Sequence, residues 1–185
     1  MEENNKFYIL ECEDIKERSL FNSHKKIIES IENPKVLVLL WTTNNLEKKK
    51  NYEKIIRGYF LDLGVKEIYF LEEEDKEFIK KFKDSNILYL PGGDTALFLK
   101  TLLENPLVLE NLKNFKGHVI GNSAGAIVLS EKGYSYKEGE VVEHKGIGIL
   151  NIKVFVHFKL EYLKFLKESD ILTIGDNGII VFVKK

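Results

Sequence analysis

The sequence predicts an α/β protein of three layers, a largely parallel central sheet with helices on both faces, and antiparallel strands near the C-terminus. Three observations carry that expectation. Apolar runs of strand length alternate with stretches of helical period, the pattern of a sheet wound with crossover helices. One run, Lys35–Trp41, is almost continuously apolar, as a strand buried on both faces must be. The 185 residues, 44% hydrophobic and 31% charged, suffice for one domain with a sizeable core. Only three prolines occur, and no linker or internal repeat divides the chain, so residues 1–185 are read as a single domain.

Each element follows from local pattern. Phe7–Leu10 reads as a short strand, and Ser23–Ile31 as a helix with Ile27, Ile28 and Ile31 on one side. After the strand at Lys35–Trp41, residues Asn51–Leu63 carry apolar side chains at helical spacing, and Gly64 stands where a left-handed cap ends such a helix. Glu67–Leu71 is a strand, Asp75–Phe82 a helix and Ile87–Leu90 a strand. A helix over Ala96–Leu103 follows, and Pro106 restarts a short one reaching Phe115. Val119–Ile120 is the next strand. From Gly133 to Ile152 the texture turns to short strands and turns. Asn151–Phe158 reads as a strand, Lys159–Glu168 as a helix, and Ile171–Ile174 with Ile179–Val183 as a terminal hairpin turning at Asn177-Gly178.

Composition excludes several classes. A net charge of −1 gives no global field to attract nucleic acid or an anionic membrane. No segment approaches the ~20 apolar residues of a membrane span. The polar N-terminus lacks the features of a secretory signal, and the single cysteine, Cys12, cannot form an intramolecular disulfide. A cytoplasmic protein is the expectation. Aspartates and histidines do not cluster at metal-ligand spacing, so neither a metal nor a cofactor is expected.

The chemistry concentrates at Gly121-Asn122-Ser123-Ala124-Gly125, which reads G-x-S-x-G. That pattern places a serine on a tight strand-to-helix turn with its hydroxyl exposed. A side chain at Gly121 or Gly125 would collide where strand and helix crowd together. Ser123 is the candidate nucleophile, and the N–H of Ala124 one candidate oxyanion donor. A corner needed only for packing, or a phosphate-binding turn, would use similar residues. The second loop, Pro91-Gly92-Gly93-Asp94-Thr95, ends a strand and opens a helix. Gly92 and Gly93 let backbone approach a substrate and offer N–H groups, while Asp94 or Thr95 suits a helix cap.

A serine hydroxyl needs a base. Of the four histidines, His24 falls on a surface helix, His118 at the far end of the strand leading to Ser123, and His144 in a polar hairpin. His157 follows an apolar strand and so stands at a strand end, where ligand sites collect in α/β sheets. It is the candidate base, with His144 in reserve. For the acid that orients the imidazole, Asp176 in its turn is favoured over Asp170, Glu161 and Glu168.

The series P-G-G-D-T, G-N-S-A-G-A, V-H-F and I-G-D-N-G, in that order and spacing, resembles peptidase family S51, which includes an aspartyl dipeptidase, dipeptidase E, and cyanophycinase. The resemblance implies a fold like that of class I glutamine amidotransferases and a Ser-His-acid arrangement. Carried over by position, Ser123 is nucleophile, His157 base and Asp176 the third member, with oxyanion N–H groups from Gly92 or Gly93 and from Ala124. It implies a small peptide as substrate. The chain departs from the aspartyl dipeptidase in having no arginine after His157, its only arginines being Arg18 and Arg57. The order Ser, His, Asp excludes an α/β-hydrolase esterase. A glutaminase would need cysteine at position 123. A non-catalytic binding or sensor domain on the same fold is the alternative, and oligomeric state is left open.

Overall fold

The computed structural model describes residues 5–10, 15–166, 170–175 and 178–184. Cys12 and Asp176 lie outside them.

Six strands build the first sheet: β1 (Asn5–Leu10), β2 (Lys35–Val38), β3 (Glu67–Phe70), β4 (Ile87–Leu90), β5 (His118–Asn122) and, last in the chain, β10 (Ile179–Lys184). Their order is β10-β1-β5-β4-β2-β3, all parallel except β10, which runs antiparallel to β1. Helices α1 (Phe21–Glu29) and α2 (Leu46–Asp62) cover one face. Helices α3 (Phe78–Asp84), α4 (Thr95–Glu104), α5 (Pro106–Asn114) and α6 (Ala124–Leu129) cover the other.

The alternation of side chains along each strand sorts the core into two. From the second strand, Val36, Val38 and Leu40 pack with Ile56, Tyr59 and Phe60 of α2. Leu37, Leu39 and Trp41 pack instead with Phe98 and Leu102 of α4 and with Leu129 of α6. Both sets are buried, which is why this stretch is apolar without a break. Each such side chain removed from water contributes about 1.5–3 kcal/mol. The chain moves one way across the sheet through α1 and α2, then returns through α3, α4 and α5. Right-handed crossovers place the two sets of helices on opposite faces when direction reverses. Strands whose following helices lie on opposite faces then become neighbours, at β1/β5 and β2/β4. Such points open crevices at the C-terminal ends of strands, where ligands bind.

Four further strands form a second sheet of order β7-β6-β8-β9: β6 (Ser130–Lys137), β7 (Glu140–Lys145), β8 (Leu150–Phe155) and β9 (Ile171–Thr173). Leu150, Val154, Val156 and Ile174 from this region join the core that lies under α4–α6, so the two sheets share buried surface. None of the described helices is long and apolar enough to cross a membrane.

The expected C-terminal hairpin is not formed. β9 runs parallel to β8, joined to it through a 3-10 helix at Leu160–Phe165, whereas β10 crosses to the first sheet and pairs with β1. Both strands are short apolar runs, and such a run does not encode which sheet edge it will fill. Parallel pairing with β8 needs the crossover that the segment after His157 supplies. The free edge of β1 takes β10, with Ile179 turned to one core and Ile180 and Phe182 to the other. Elsewhere the expected elements are present, with ends shifted by a few residues, and Gly64 does adopt the left-handed conformation at φ +92°.

Candidate active site

β5 delivers the chain into the turn that carries Ser123. Ser123 has φ +48° and ψ −103°, outside the regions that L-residues favour, and its carbonyl accepts the Ile127 N–H at 3.1 Å to start α6. The glycines beside it are required by contact. A Cβ on Gly125 would stand 2.1 Å from the Leu90 carbonyl oxygen, and one on Gly121 would stand 2.7 Å from Leu129 Cδ1. The helix start thus lies directly against β4, and that close packing holds the serine in its strained conformation.

β4 delivers the second loop to the same place. A Cβ on Gly92 would lie 3.4 Å from Ser123 Cβ, so the loop passes alongside the hydroxyl. Gly93 has φ +136°, and a Cβ there would meet Thr42 Cβ at 2.7 Å. The Asp94 N–H donates to the Thr42 carbonyl at 3.2 Å, which ties the loop to the end of the second strand. Asp94 also caps α4, its carboxylate accepting from the Leu97 N–H at 3.0 Å. Of the two cap candidates it is Asp94 that serves, and its carboxylate acts on the helix end. The backbone N–H groups of Gly92 and Gly93 are left as the loop's candidates for an oxyanion.

His157 arrives from the second sheet, two residues beyond β8. Its Nε2 stands 2.9 Å from Ser123 Oγ. His157 has φ +57°, so the backbone turns sharply as it leaves the strand. Ser123 and His157 therefore both carry positive φ at non-glycine positions, the kind of strain that persists where surrounding packing enforces it. The Val156 N–H donates to the Tyr134 carbonyl at 3.1 Å, and the Phe155 ring meets Phe158 edge-on at 5.4 Å, which anchors the turn from both sides.

The other histidines are elsewhere. His118, at the start of β5, lies with Nδ1 3.1 Å from the Tyr8 hydroxyl, at the far end of the strand as expected. His24 is not on a surface: it is fully buried, with Nδ1 2.7 Å from the Tyr59 hydroxyl. Helical spacing marked Ile27, Ile28 and Ile31 as the inner side, and His24 shares that side one turn before Ile28. His144 on β7 is half-buried, with Nε2 3.2 Å from Ser135 Oγ. Burial holds its pKa below the ordinary 6.5, and the Asp94 carboxylate opposes that in part.

Among the acids, Asp170 pairs with Lys153 at 3.0 Å. Ile171 faces Lys153 in the parallel register, so Asp170 lies about five residues, or ~15 Å, along the strands from His157. Glu161 is exposed on the 3-10 helix. Phe155 faces Thr173, and the Ile174 N–H donates to the Phe155 carbonyl at 3.3 Å, so β9 ends on the same side as β8. Asp176 and Glu168 lie outside the described residues. Thr42 and Ser135 were not singled out from sequence. Thr42 directly follows the apolar run Lys35–Trp41, the only signal it carries; Ser135 carries none.

A pocket of about 300 Å³ opens beside the turn, lined by Gly92, Gly93 and Asn122 and by residues of the first two helical crossovers, among them Leu40, Tyr52 and Ile56. Among the described residues no group of three or more His, Cys, Asp or Glu side chains is placed to hold a metal ion.

Comparison with known proteins adds to this geometry. The chain is similar to a peptidase from an acI-B1 Actinobacterium, with a TM-score of 0.75 and 20% identity over 98% of this chain and 85% of that one. It is similar to a peptidase E-type protein from Listeria monocytogenes EGD-e, with a TM-score of 0.69 and 18% identity over 98% of this chain and 96% of that one. At such identities these likenesses speak for the fold, the α/β architecture anticipated from the sequence. The cobyrinate a,c-diamide synthase of Methanocaldococcus jannaschii is 27% identical over an alignment of 139 residues that covers 70% of this chain. The chain spans only 29% of that relative's length. The sequence model of peptidase family S51 matches residues 12–174. The chain therefore belongs to peptidase family S51.

Proposed function

We propose that this peptidase cleaves short peptides in the cytoplasm through Ser123, His157 and a third, acidic member, Asp176, by way of an acyl-enzyme. The observation that carries the reading is the 2.9 Å approach of Ser123 Oγ to His157 Nε2 across two sheets. Two residues 34 positions apart, both in strained backbone, meet with the geometry a nucleophile and its base require.

In this mechanism the Ser123 hydroxyl donates to neutral Nε2, and its oxygen attacks the scissile carbonyl carbon as the proton passes to the imidazole. The carbonyl oxygen takes the negative charge and accepts hydrogen bonds from Ala124 N–H and from Gly92 or Gly93 N–H. The C–N bond breaks as His157 returns the proton to the leaving amine. A water, deprotonated by His157, then attacks the acyl-enzyme, releasing the acid and regenerating Ser123. Asp176 would hold the Nδ1 tautomer. No metal, nucleic acid or membrane enters the scheme.

A fluorophosphonate probe and a dipeptide panel test it together. Labelling of the wild type and not of Ser123→Ala is expected, and Ser123→Ala and His157→Ala each lose at least ~10³-fold in kcat/KM. Asp176→Asn loses less; an unchanged rate would remove it from the mechanism. Near-normal turnover by either Ser123→Ala or His157→Ala would overturn the proposal. A folded wild-type protein that neither labels nor hydrolyses would instead be a binding or sensor domain.

A further inference from the structure

The pocket beside Ser123 has a chemistry of its own. It is lined by Gly92, whose missing Cβ would stand 3.4 Å from Ser123 Cβ. Its walls are Leu40, Ile56 and Tyr89, buried residues of the core on the α1/α2 face. Tyr52, on α2, forms the outer wall and is 37% exposed. Lys16 is the one charged residue among the described lining residues, and it too is exposed.

The side of the scissile bond follows from proton transfer. His157 reaches Ser123 from β8, whose Val154 belongs to the opposite core, under α4–α6. The imidazole must protonate the leaving nitrogen, so the leaving residue lies toward His157. The residue whose carbonyl is attacked then projects its side chain the other way, over Gly92 and into the pocket.

Resting on that reading of Ser123 and His157, we infer that the pocket is the acyl-side specificity pocket and selects an apolar side chain of leucine, methionine or phenylalanine size. A volume of about 300 Å³ admits such a side chain. Leu40, Ile56 and Tyr89 reward apolar burial. An aspartate or glutamate placed there would be desolvated against those walls, which is unfavourable. No guanidinium lines the pocket to grip a carboxylate in two places.

The test is kcat/KM for dipeptides X-Leu with X = Leu, Met, Phe, Asp, Glu or Lys, on the wild type and on Tyr52→Arg. The expected result is that Leu, Met and Phe exceed Asp and Glu by at least tenfold in the wild type. Tyr52→Arg sets a guanidinium in the outer wall and moves the Leu:Asp ratio at least tenfold toward Asp. The wild-type ratio stands as a test even if the variant does not fold. A wild type that prefers Asp or Glu, or hydrolyses all six alike, overturns the pocket assignment and leaves the Ser123 mechanism intact when hydrolysis disappears in Ser123→Ala. Hydrolysis that persists in Ser123→Ala sinks the mechanism instead, and the pocket assignment with it.

Discussion

Replacing Ser123 by glycine should give a more stable protein than replacing it by alanine, with activity abolished in both. The residue holds φ +48° and ψ −103°, a conformation that carries about 1–3 kcal/mol of strain for any residue with a Cβ. Glycine adopts it freely, but gains freedom in the unfolded chain that offsets roughly 0.4–1 kcal/mol. The hydroxyl lost from the His157 contact complicates a comparison with wild type. Ser123→Ala removes the same hydroxyl and keeps the Cβ, so it is the right reference. Relative to alanine, glycine should gain about 1 kcal/mol, or ~2–4 °C in Tm for a chain of this size. Differential scanning calorimetry and urea midpoints on both variants measure the difference, with loss of probe labelling as the control for chemistry. A glycine variant no more stable than the alanine variant would show that the turn is not strained and that packing of Gly121 and Gly125 does not force it.

Two further measurements probe the surroundings of the site. Gly125→Ala drives a methyl to 2.1 Å from the Leu90 carbonyl oxygen, so α6 must move; a loss of about 1–3 kcal/mol is expected, with kcat/KM falling ~10²-fold if Ser123 shifts by ~1 Å. Gly58→Ala, inside α2 with nothing within 4 Å of the added Cβ, should gain ~0.5–1 kcal/mol, and equal effects at the two sites would refute the packing account. The pH dependence of stability tests the environment of His144. Its folded pKa lies below 6.5 because burial disfavours the charged ring, so the unfolded chain binds more protons in the window beneath that value. Its contribution is complete above pH 6.5 and is lost as pH falls toward the folded pKa. His144→Gln should lose less stability than wild type as pH falls below 6.5 in urea melts, and parallel profiles would contradict it.

Much of the candidate site was legible because its parts are local. A G-x-S-x-G turn between an apolar run and a helix start predicts its own geometry, since the glycines are demanded by contacts within a few residues and with the adjoining strand. The Gly92-Gly93-Asp94 turn is legible for the same reason, a strand end followed by a capping residue. His157 could be chosen because an apolar strand ends there, although that strand, β8, belongs to the second sheet and not to the parallel sheet that carries Ser123. His24 was misplaced because three isoleucines defined the helix's inner side and a histidine on that side was read as polar. Its burial depends on Tyr59, 35 residues away, whose hydroxyl meets the ring.

By itself, then, the sequence determined the α/β class, the doubly apolar central strand, the strained serine turn and the choice of Ser123 and His157 as the candidate pair. Only the tertiary structure decided that β9 joins a second sheet in parallel while β10 closes the edge of the first, because a short apolar strand is equally satisfied by any free edge of matching length. It alone decided that Thr42 lies beneath Gly93 and that Leu40, Ile56 and Tyr89 surround a cavity beside the serine. Those contacts join residues far apart in the chain. Nothing in the local pattern of any one segment carries the position of the others.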